Sequence, residues 1–369
     1  MPALRAPQRI AVTGANGFIG AHCVVALLQA DFEVVAIVRD PSNDEKTGFL
    51  KEVAAKLGKR DKLSFAAGDL FQPGSYDDVF KGCQGVLHTA AVVEVEHVKD
   101  PQNIIKPSVD GTSNVVKAIQ NNLDSIQRYV HLSSIAAIQS LEKTDDHVFT
   151  EADWNTWSTP ESDPYGYGKT KAEQLVWEQL GDKESIETIV LNPVISLGPC
   201  YCKAHTKSST VFIRQILYGN AMLNYNGSFV DVRDVAQAAV SAFTKDAAAG
   251  KRYIISGTEE PINTMELNTI TKRVYPWVKG ATPKLSPTML SVLVGISHYL
   301  PFLQGTGPVP TEFQVAMLTR IIRCDNTQSK DVLEVTYNSL EDTCRDSVDS
   351  MKPFIKLSNW GGEEQLDIV

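Results

Sequence analysis

The chain has 369 residues, 43 % hydrophobic and 21 % charged, a composition that sustains a large core and excludes a wholly disordered chain. Its length suggests about two domains, or one large α/β domain with an appendage. Its 35 Lys and Arg face 44 Asp and Glu for a net charge of −9, and no basic cluster stands out, which opposes nucleic-acid binding.

The six cysteines lie apart except for Cys200-Tyr201-Cys202. There is no CxxC and the histidines are scattered, so neither a zinc site nor a disulfide framework is indicated. The first residues lack the apolar segment of a secretory signal. No run reaches the 18 apolar residues of a membrane span, and a reducing, cytoplasmic location is expected.

Residues 9–13 (RIAVT) form a short apolar run that ends in Gly14-Ala15-Asn16-Gly17-Phe18-Ile19-Gly20. A helix is expected over 21–30 and a second apolar strand over 33–38. Strand, glycine turn, helix and strand within about thirty residues make a dinucleotide-binding unit. Gly14 permits the tight turn, Gly17 lets the backbone approach a pyrophosphate, and Gly20 lets helix and strand pack closely. Free amides at the helix start then face the phosphates.

The second strand is followed by Arg39. An acidic side chain there accepts from an adenosine ribose and repels a 2′-phosphate, whereas a guanidinium does the reverse. Arg39 with Lys46 therefore points to NADP(H), with Asp40 as an opposing carboxylate able to swing in. A third strand, 62–67, leads to Asp69 and Leu70, and a fourth, 85–89, ends in Thr89-Ala90-Ala91. Asp69 is placed to accept from an adenine amino group, and Thr89, Ala90 and Ala91 to line the nicotinamide side.

After a helix over 101–122 comes a strand over 128–132 that ends in Ser133-Ser134. Thirty residues on stands DPYGYGKTKAE, residues 163–173. Asp163 suits an N-cap and Pro164 a first helical position, with Gly181 as a stop. Tyr165 and Lys169 then lie four apart on one helix face. A tyrosine, with an ordinary pKa of about 10, becomes a usable proton donor when a lysine ammonium one turn away stabilises its phenolate. The lysine also suits the nicotinamide ribose, and a serine hydroxyl opposite suits the developing charge on a substrate oxygen. Tyr167 and Lys171 repeat the spacing, and Ser133 and Ser134 point to opposite sides of the strand end. Local physics leaves both choices open.

The GxxGxxG turn resembles that of extended short-chain dehydrogenases/reductases. From about residue 13 to 253 the chain resembles their dihydroflavonol 4-reductase/cinnamoyl-CoA reductase group. The resemblance rests on Val38-Arg39-Asp40-Pro41, Lys99-Asp100-Pro101, Ser133-Ser134, Lys169-Thr170-x-Ala172-Glu173, Leu197-Gly198-Pro199 and Phe229-Val230-Asp231-Val232-Arg233-Asp234. It implies a Rossmann-type, doubly wound parallel sheet with a smaller C-terminal substrate-binding subdomain. It also implies Ser134, Tyr165 and Lys169 as the catalytic set, with cofactor contacts extending to Arg39, Lys46, Asp69, Leu70, Thr89, Ala91, Pro193 and Ser208. The chain departs from the dihydroflavonol reductases at Gln139, where they carry Asn. It departs from the cinnamoyl-CoA reductases at Asp163-Pro164, where they carry Asn-Trp.

The boundary is expected near residue 195, with an NADP-binding domain before it and a mainly substrate-binding region after it, some segments of which return to the sheet. Residues 139–162 form a polar loop whose tryptophans either overhang the substrate or pack on the surface. Residues 283–310 hold five prolines around an apolar run and resemble the tail of 3β-hydroxysteroid dehydrogenase-like proteins. They read as a substrate lid, a membrane-surface or dimer patch, or core. The reading that results is an NADPH-dependent reductase of a bulky, partly apolar carbonyl compound, monomeric or homodimeric. Oxidation of a hydroxysteroid-like alcohol and a non-catalytic NADP sensor are the alternatives.

Overall fold

The computed structural model describes residues 2–91, 100–222, 226–283 and 320–357, with Met289, Val292, Gly295, Ile296 and Tyr299. Most of 283–310, and Lys99, lie outside the described residues.

Short runs such as EVVAIV bury both faces, which is the pattern of a parallel sheet covered by helices on both sides. In chain order the framework is β1 (Arg9–Thr13), α1 (Phe18–Gln29), β2 (Glu33–Val38), α2 (Asp44–Lys56), β3 (Leu63–Ala67), β4 (Gly85–His88), α3 (Gln102–Gln120), β5 (Arg128–Leu132), α4 (Pro164–Val176) and β6 (Glu187–Pro193). Then follow α5 (Val211–Tyr218), α6 (Val232–Thr244), β7 (Arg252–Ile255), α7 (Thr264–Val274) and α8 (Leu340–Met351). The seven strands are all parallel, in the order β7-β6-β5-β4-β1-β2-β3. The direction of winding reverses between β1 and β4, where a doubly wound sheet opens a crevice for a ligand.

One face of the sheet packs against α1 and α6 through Ile10, Val12, Val24, Leu27, Val235 and Phe243. The other face packs against α3 and α4 through Ala11, Val35, Val115, Ile119 and Val176. A separate core joins α5, α7 and α8 through Leu197, Ile213, Leu267 and Val348, and it takes in Phe18 from the glycine turn. Beyond residue 195, α6 and β7 return to the large sheet, β7 pairing with β6.

Several expected boundaries move, those of the third and fourth strands by one residue each. The helix after the turn begins at Phe18 rather than 21, because Gly17, extended at φ −73° and ψ 168°, is itself the N-cap. The helix expected over 101–122 is Gln102–Gln120.

Candidate active site

The carboxyl edge beside β1 is built from backbone. Gly14 has a φ of +66°, and a Cβ there would lie 2.7 Å from the Ala90 Cα. A Cβ on Gly20 would lie 2.2 Å from the Gly14 carbonyl oxygen and 2.7 Å from Thr89 Oγ1. Thr89 Oγ1 donates to the Thr13 carbonyl at 2.6 Å, and Gly17 N–H donates to that of Gly14 at 2.9 Å. No side chain caps α1, so the first-turn amides of Phe18, Ile19 and Gly20 suit an anion at an exposed Gly17. The Phe18 side chain is buried in the C-terminal core and leaves only its backbone on the turn. The turn is held from outside as well. His205 Nδ1 accepts from Tyr201 N–H at 3.2 Å, so its proton sits on Nε2, which donates to the Asn16 carbonyl at 3.1 Å.

At the end of β2, Arg39 and Lys46 are exposed, Lys46 in the first turn of α2. The opposing carboxylate is engaged locally: Asp40 Oδ1 accepts from Ser42 N–H at 3.0 Å and from Ser42 Oγ at 2.6 Å, which lowers its pKa. Asp69 is half-buried, with Oδ1 accepting from Phe71 N–H at 2.9 Å, and Leu70 packs under Gly111 of α3. Ala90 N–H donates to Thr13 Oγ1 at 3.3 Å, and Ala91 is exposed beyond β4. Pro193 is buried at the end of β6. Ser208 Oγ donates to the His205 carbonyl at 2.8 Å, so its proton is engaged in its own turn.

The end of β5 distinguishes the two serines. Ser133 is buried and its hydroxyl donates to Glu173 of α4 at 2.5 Å. Ser134 is half-buried, and its Oγ accepts from Ala136 N–H at 3.2 Å, which leaves its own proton available. The two tyrosine–lysine pairs also part. Lys169 is 8 % exposed on the sheet side of α4 and makes no salt bridge among the described residues, while Tyr165 is half-buried one turn before it. Lys171 is exposed, its Nζ donating to Gln174 at 3.0 Å and lying 5.6 Å over the Tyr167 ring. That second pair lines a groove of about 470 Å³ between α3 and α4.

The loop after Ser134 and the start of α4 are tied together. Asn155 Nδ2 donates to the Ala136 carbonyl at 2.8 Å and to Ser158 Oγ at 2.7 Å. Ser158 Oγ donates to Asp163 Oδ2 at 2.7 Å, and Asp163 Oδ1 caps α4 by accepting from Gly166 N–H at 3.0 Å. A Cβ on Gly166 would meet Asp163 Oδ2 at 2.1 Å, so this glycine is part of the cap. The 139–162 loop packs against the sheet edge. Its Val148–Phe149 strand pairs with Arg323–Cys324, and the Trp154 ring centroid lies 3.8 Å from the Arg252 guanidinium carbon.

Four buried histidines escaped the sequence reading, two of them on β4 and β5. His88 and His131 face each other across β4 and β5, ring centroids 5.4 Å apart. His88 Nδ1 bonds Thr13 Oγ1 at 2.7 Å, and His131 Nδ1 bonds the Tyr129 hydroxyl at 3.0 Å. Burial first, and then the Lys169 charge, pushes His88 down to about 3; burial, His88 and Lys169 push His131 well below the usual histidine range. Both rings are neutral near pH 7, so the ammonium has no second positive charge beneath it. A histidine inside an otherwise apolar strand was the available signal. All six cysteines are free.

A seven-stranded parallel Rossmann-type sheet with a glycine turn at its switch point is the fold of the extended short-chain dehydrogenases/reductases. The chain belongs to the NAD dependent epimerase/dehydratase family, whose profile matches residues 10–256. It is 34 % identical to cinnamoyl-CoA reductase 2 of Medicago truncatula over 274 residues, 73 % of this chain and 77 % of that protein. It is 28 % identical over 366 residues to the NADPH-dependent methylglyoxal reductase GRE2 of Saccharomyces cerevisiae, 93 % of this chain and 98 % of that one. Among solved structures, Gre2 of Candida albicans in complex with NADPH superposes with a TM-score of 0.76 at 26 % identity, covering 95 % of this chain and all of that one (100 %).

Proposed function

We propose that this protein is an NADPH-dependent reductase of a bulky, partly apolar ketone, aldehyde or thioester. The observation that carries the reading is the division of labour on α4 and β5. Ser133 and Lys171 are engaged elsewhere, while Ser134, Tyr165 and a buried Lys169 remain for chemistry. Its relatives named as NADPH-dependent methylglyoxal reductase and as cinnamoyl-CoA reductase support the same class.

The residues fit the dinucleotide. The turn of Gly14, Asn16, Gly17, Phe18, Ile19 and Gly20 offers the uncapped first-turn amides to a pyrophosphate, and Arg39 with Lys46 offers two exposed cations to a 2′-phosphate. Asp69 and Leu70 take the adenine side; Thr89, Ala90 and Ala91 take the nicotinamide side; Pro193 and Ser208 are further cofactor contacts; Lys169 takes the ribose hydroxyls. When bound, NADPH supplies the hydride. Ser134 donates to the substrate carbonyl oxygen, and Tyr165 transfers its phenolic proton to that oxygen as the carbon is reduced. Lys169 stabilises the phenolate left behind until it is reprotonated from solvent.

The test is titration with NADPH and NADH, followed by a panel of carbonyl compounds monitored through cofactor absorbance. Oxidation of NADPH that depends on an added carbonyl is the expected result. Binding of NADPH with no turnover of any carbonyl would instead favour a sensor.

A further inference from the structure

Beneath the proposed active site lies a buried ion pair that the chemistry above does not use. Glu173 is wholly buried, one turn after Lys169 on the same face of α4. Four donors converge on its carboxylate. Oε2 accepts from Ser133 Oγ at 2.5 Å and Asn192 Nδ2 at 2.8 Å. Oε1 accepts from Arg252 Nε at 2.5 Å and Trp177 Nε1 at 3.5 Å. Arg252, on β7, also donates through Nη1 to the carbonyls of Glu151 and Asp153, at 2.9 and 2.6 Å.

Asn192 makes the link to chemistry. Its Nδ2 also donates to the Ser134 carbonyl at 3.1 Å, while its buried Oδ1 has no partner among the described residues. An amide kept in the core with an unpaired acceptor carries a desolvation cost that its donated bonds must offset. Here they bridge Glu173 to the backbone of Ser134. A carboxylate suits the node because every group facing it is a donor; a glutamine amide would set N–H against N–H.

We propose that Glu173, with Arg252 as its counter-charge, is the positioning residue of this active site. It fixes the Ser134 backbone through Asn192, and it fixes the seating of α4, hence of Tyr165 and Lys169, against β5 and β6. The proposal rests on the reductase reading. A wild-type chain that turns over no carbonyl overturns that reading before any variant is compared.

With an active wild type, Glu173→Gln, Arg252→Met and the double variant are compared in Tm, NADPH Kd, KM and kcat. Each single variant leaves a buried polar group uncompensated, so Tm and kcat fall together. The double variant removes both charges and regains Tm, yet its kcat stays about tenfold to a hundredfold down, as sub-ångström misplacement of reacting groups predicts. Its NADPH Kd stays within about twofold of wild type. A double variant whose kcat recovers along with its Tm overturns the proposal, because the pair would then only hold the fold. Asn192→Ala keeps the ion pair and cuts only the bridge to Ser134. It lowers kcat about tenfold at unchanged NADPH Kd, and an unchanged kcat there overturns the proposal independently.

Discussion

The two sides of the carboxyl edge are held by opposite means. Beside β1 the shape is made by missing side chains: Gly14 and Gly20 lie so close to Ala90, Thr89 and each other that a Cβ has no room. Beside β5 and β6 it is made by side chains, with a buried carboxylate gathering donors from β6, from β7 and from the residues that follow β5 and α4. A backbone cradle offers amides to phosphate without regard to the substrate, whereas a side-chain network holds a proton donor at one height above the sheet. The first arrangement suits a cofactor shared by many enzymes, and the second suits a reaction.

The sharpest way to test that contrast is to remove one functional group from each side. Tyr165→Phe loses only the phenolic proton. Its kcat is expected to fall by about a hundredfold to ten-thousandfold, the range of a lost general acid, with NADPH Kd nearly unchanged. Lys169→Ala damages both quantities, because one ammonium serves ribose and phenolate. On the other side, Gly20→Ala drives a methyl group to within 2.2 Å of the Gly14 oxygen. That variant is expected to lose NADPH binding about as far as it loses Tm, and fluorescence titration beside a thermal melt reads both.

A smaller effect separates the two cofactors. Loss of one charge-assisted contact to phosphate costs about 1.5–3 kcal/mol, so Arg39→Ala should cut the preference for NADPH over NADH by about tenfold or more. The Ser42 bonds that hold Asp40 already favour such a preference in the wild type. Equal Kd values for the two nucleotides in the wild type would sink the assignment.

Acid stability sharpens the comparison in another way. His22 is pushed down to about 4 and His88 to about 3 by burial, with His131 and His205 lowered for the same main reason. The unfolded chain binds these protons near pH 6.5 and the folded chain does not, so their contribution to stability is lost as pH falls below 6.5. Asp234 opposes this: burial raises it to about 6, so it favours the fold as pH falls from about 6 toward 4. With four histidines against Asp234 and two further carboxylates that burial raises, Glu151 and Asp163, Tm should drop between pH 6.5 and 4. Melts across that window should show a shallower slope in His22→Phe than in the wild type.

How much of this was legible follows from sequence distance. The glycine turn was readable because the positive φ of Gly14 and the approach of Gly20 to the Gly14 oxygen are constraints that act within residues 14–20. The choice between Ser133 and Ser134 was not locally readable, because it is decided by Glu173, 40 residues away, itself paired with Arg252 a further 79 on. Only a resemblance pointed to Ser134. His205 was missed because nothing local marks a histidine whose partner is the Asn16 carbonyl, 189 residues earlier. The loop over 139–162 shows the same limit. From the sequence its tryptophans either overhang the substrate or pack on the surface; Trp154 packs on Arg252, and Glu151 Oε1 accepts from Ile254 N–H at 2.9 Å.

The smallest expected effect tests the frame of the helix itself. Tyr167 and Lys171 have the same spacing as the proposed pair but sit two residues on, which turns them toward the groove beside α3. Their contact is a cation over a ring at an exposed position, worth about 0.5–1 kcal/mol. In a chain of this size that moves Tm by only about 1 °C. Tyr167→Phe keeps the ring, and Lys171→Met keeps most of the stem that covers it. Both variants should therefore retain kcat within about twofold, with Lys171→Met giving the larger, still small, loss of Tm. A collapse of turnover in Tyr167→Phe, with Tyr165→Phe left active, would show that α4 presents its other face to the substrate. The serine would then have to be reassigned as well, since the Glu173 bond that withdraws Ser133 belongs to the same seating of the helix.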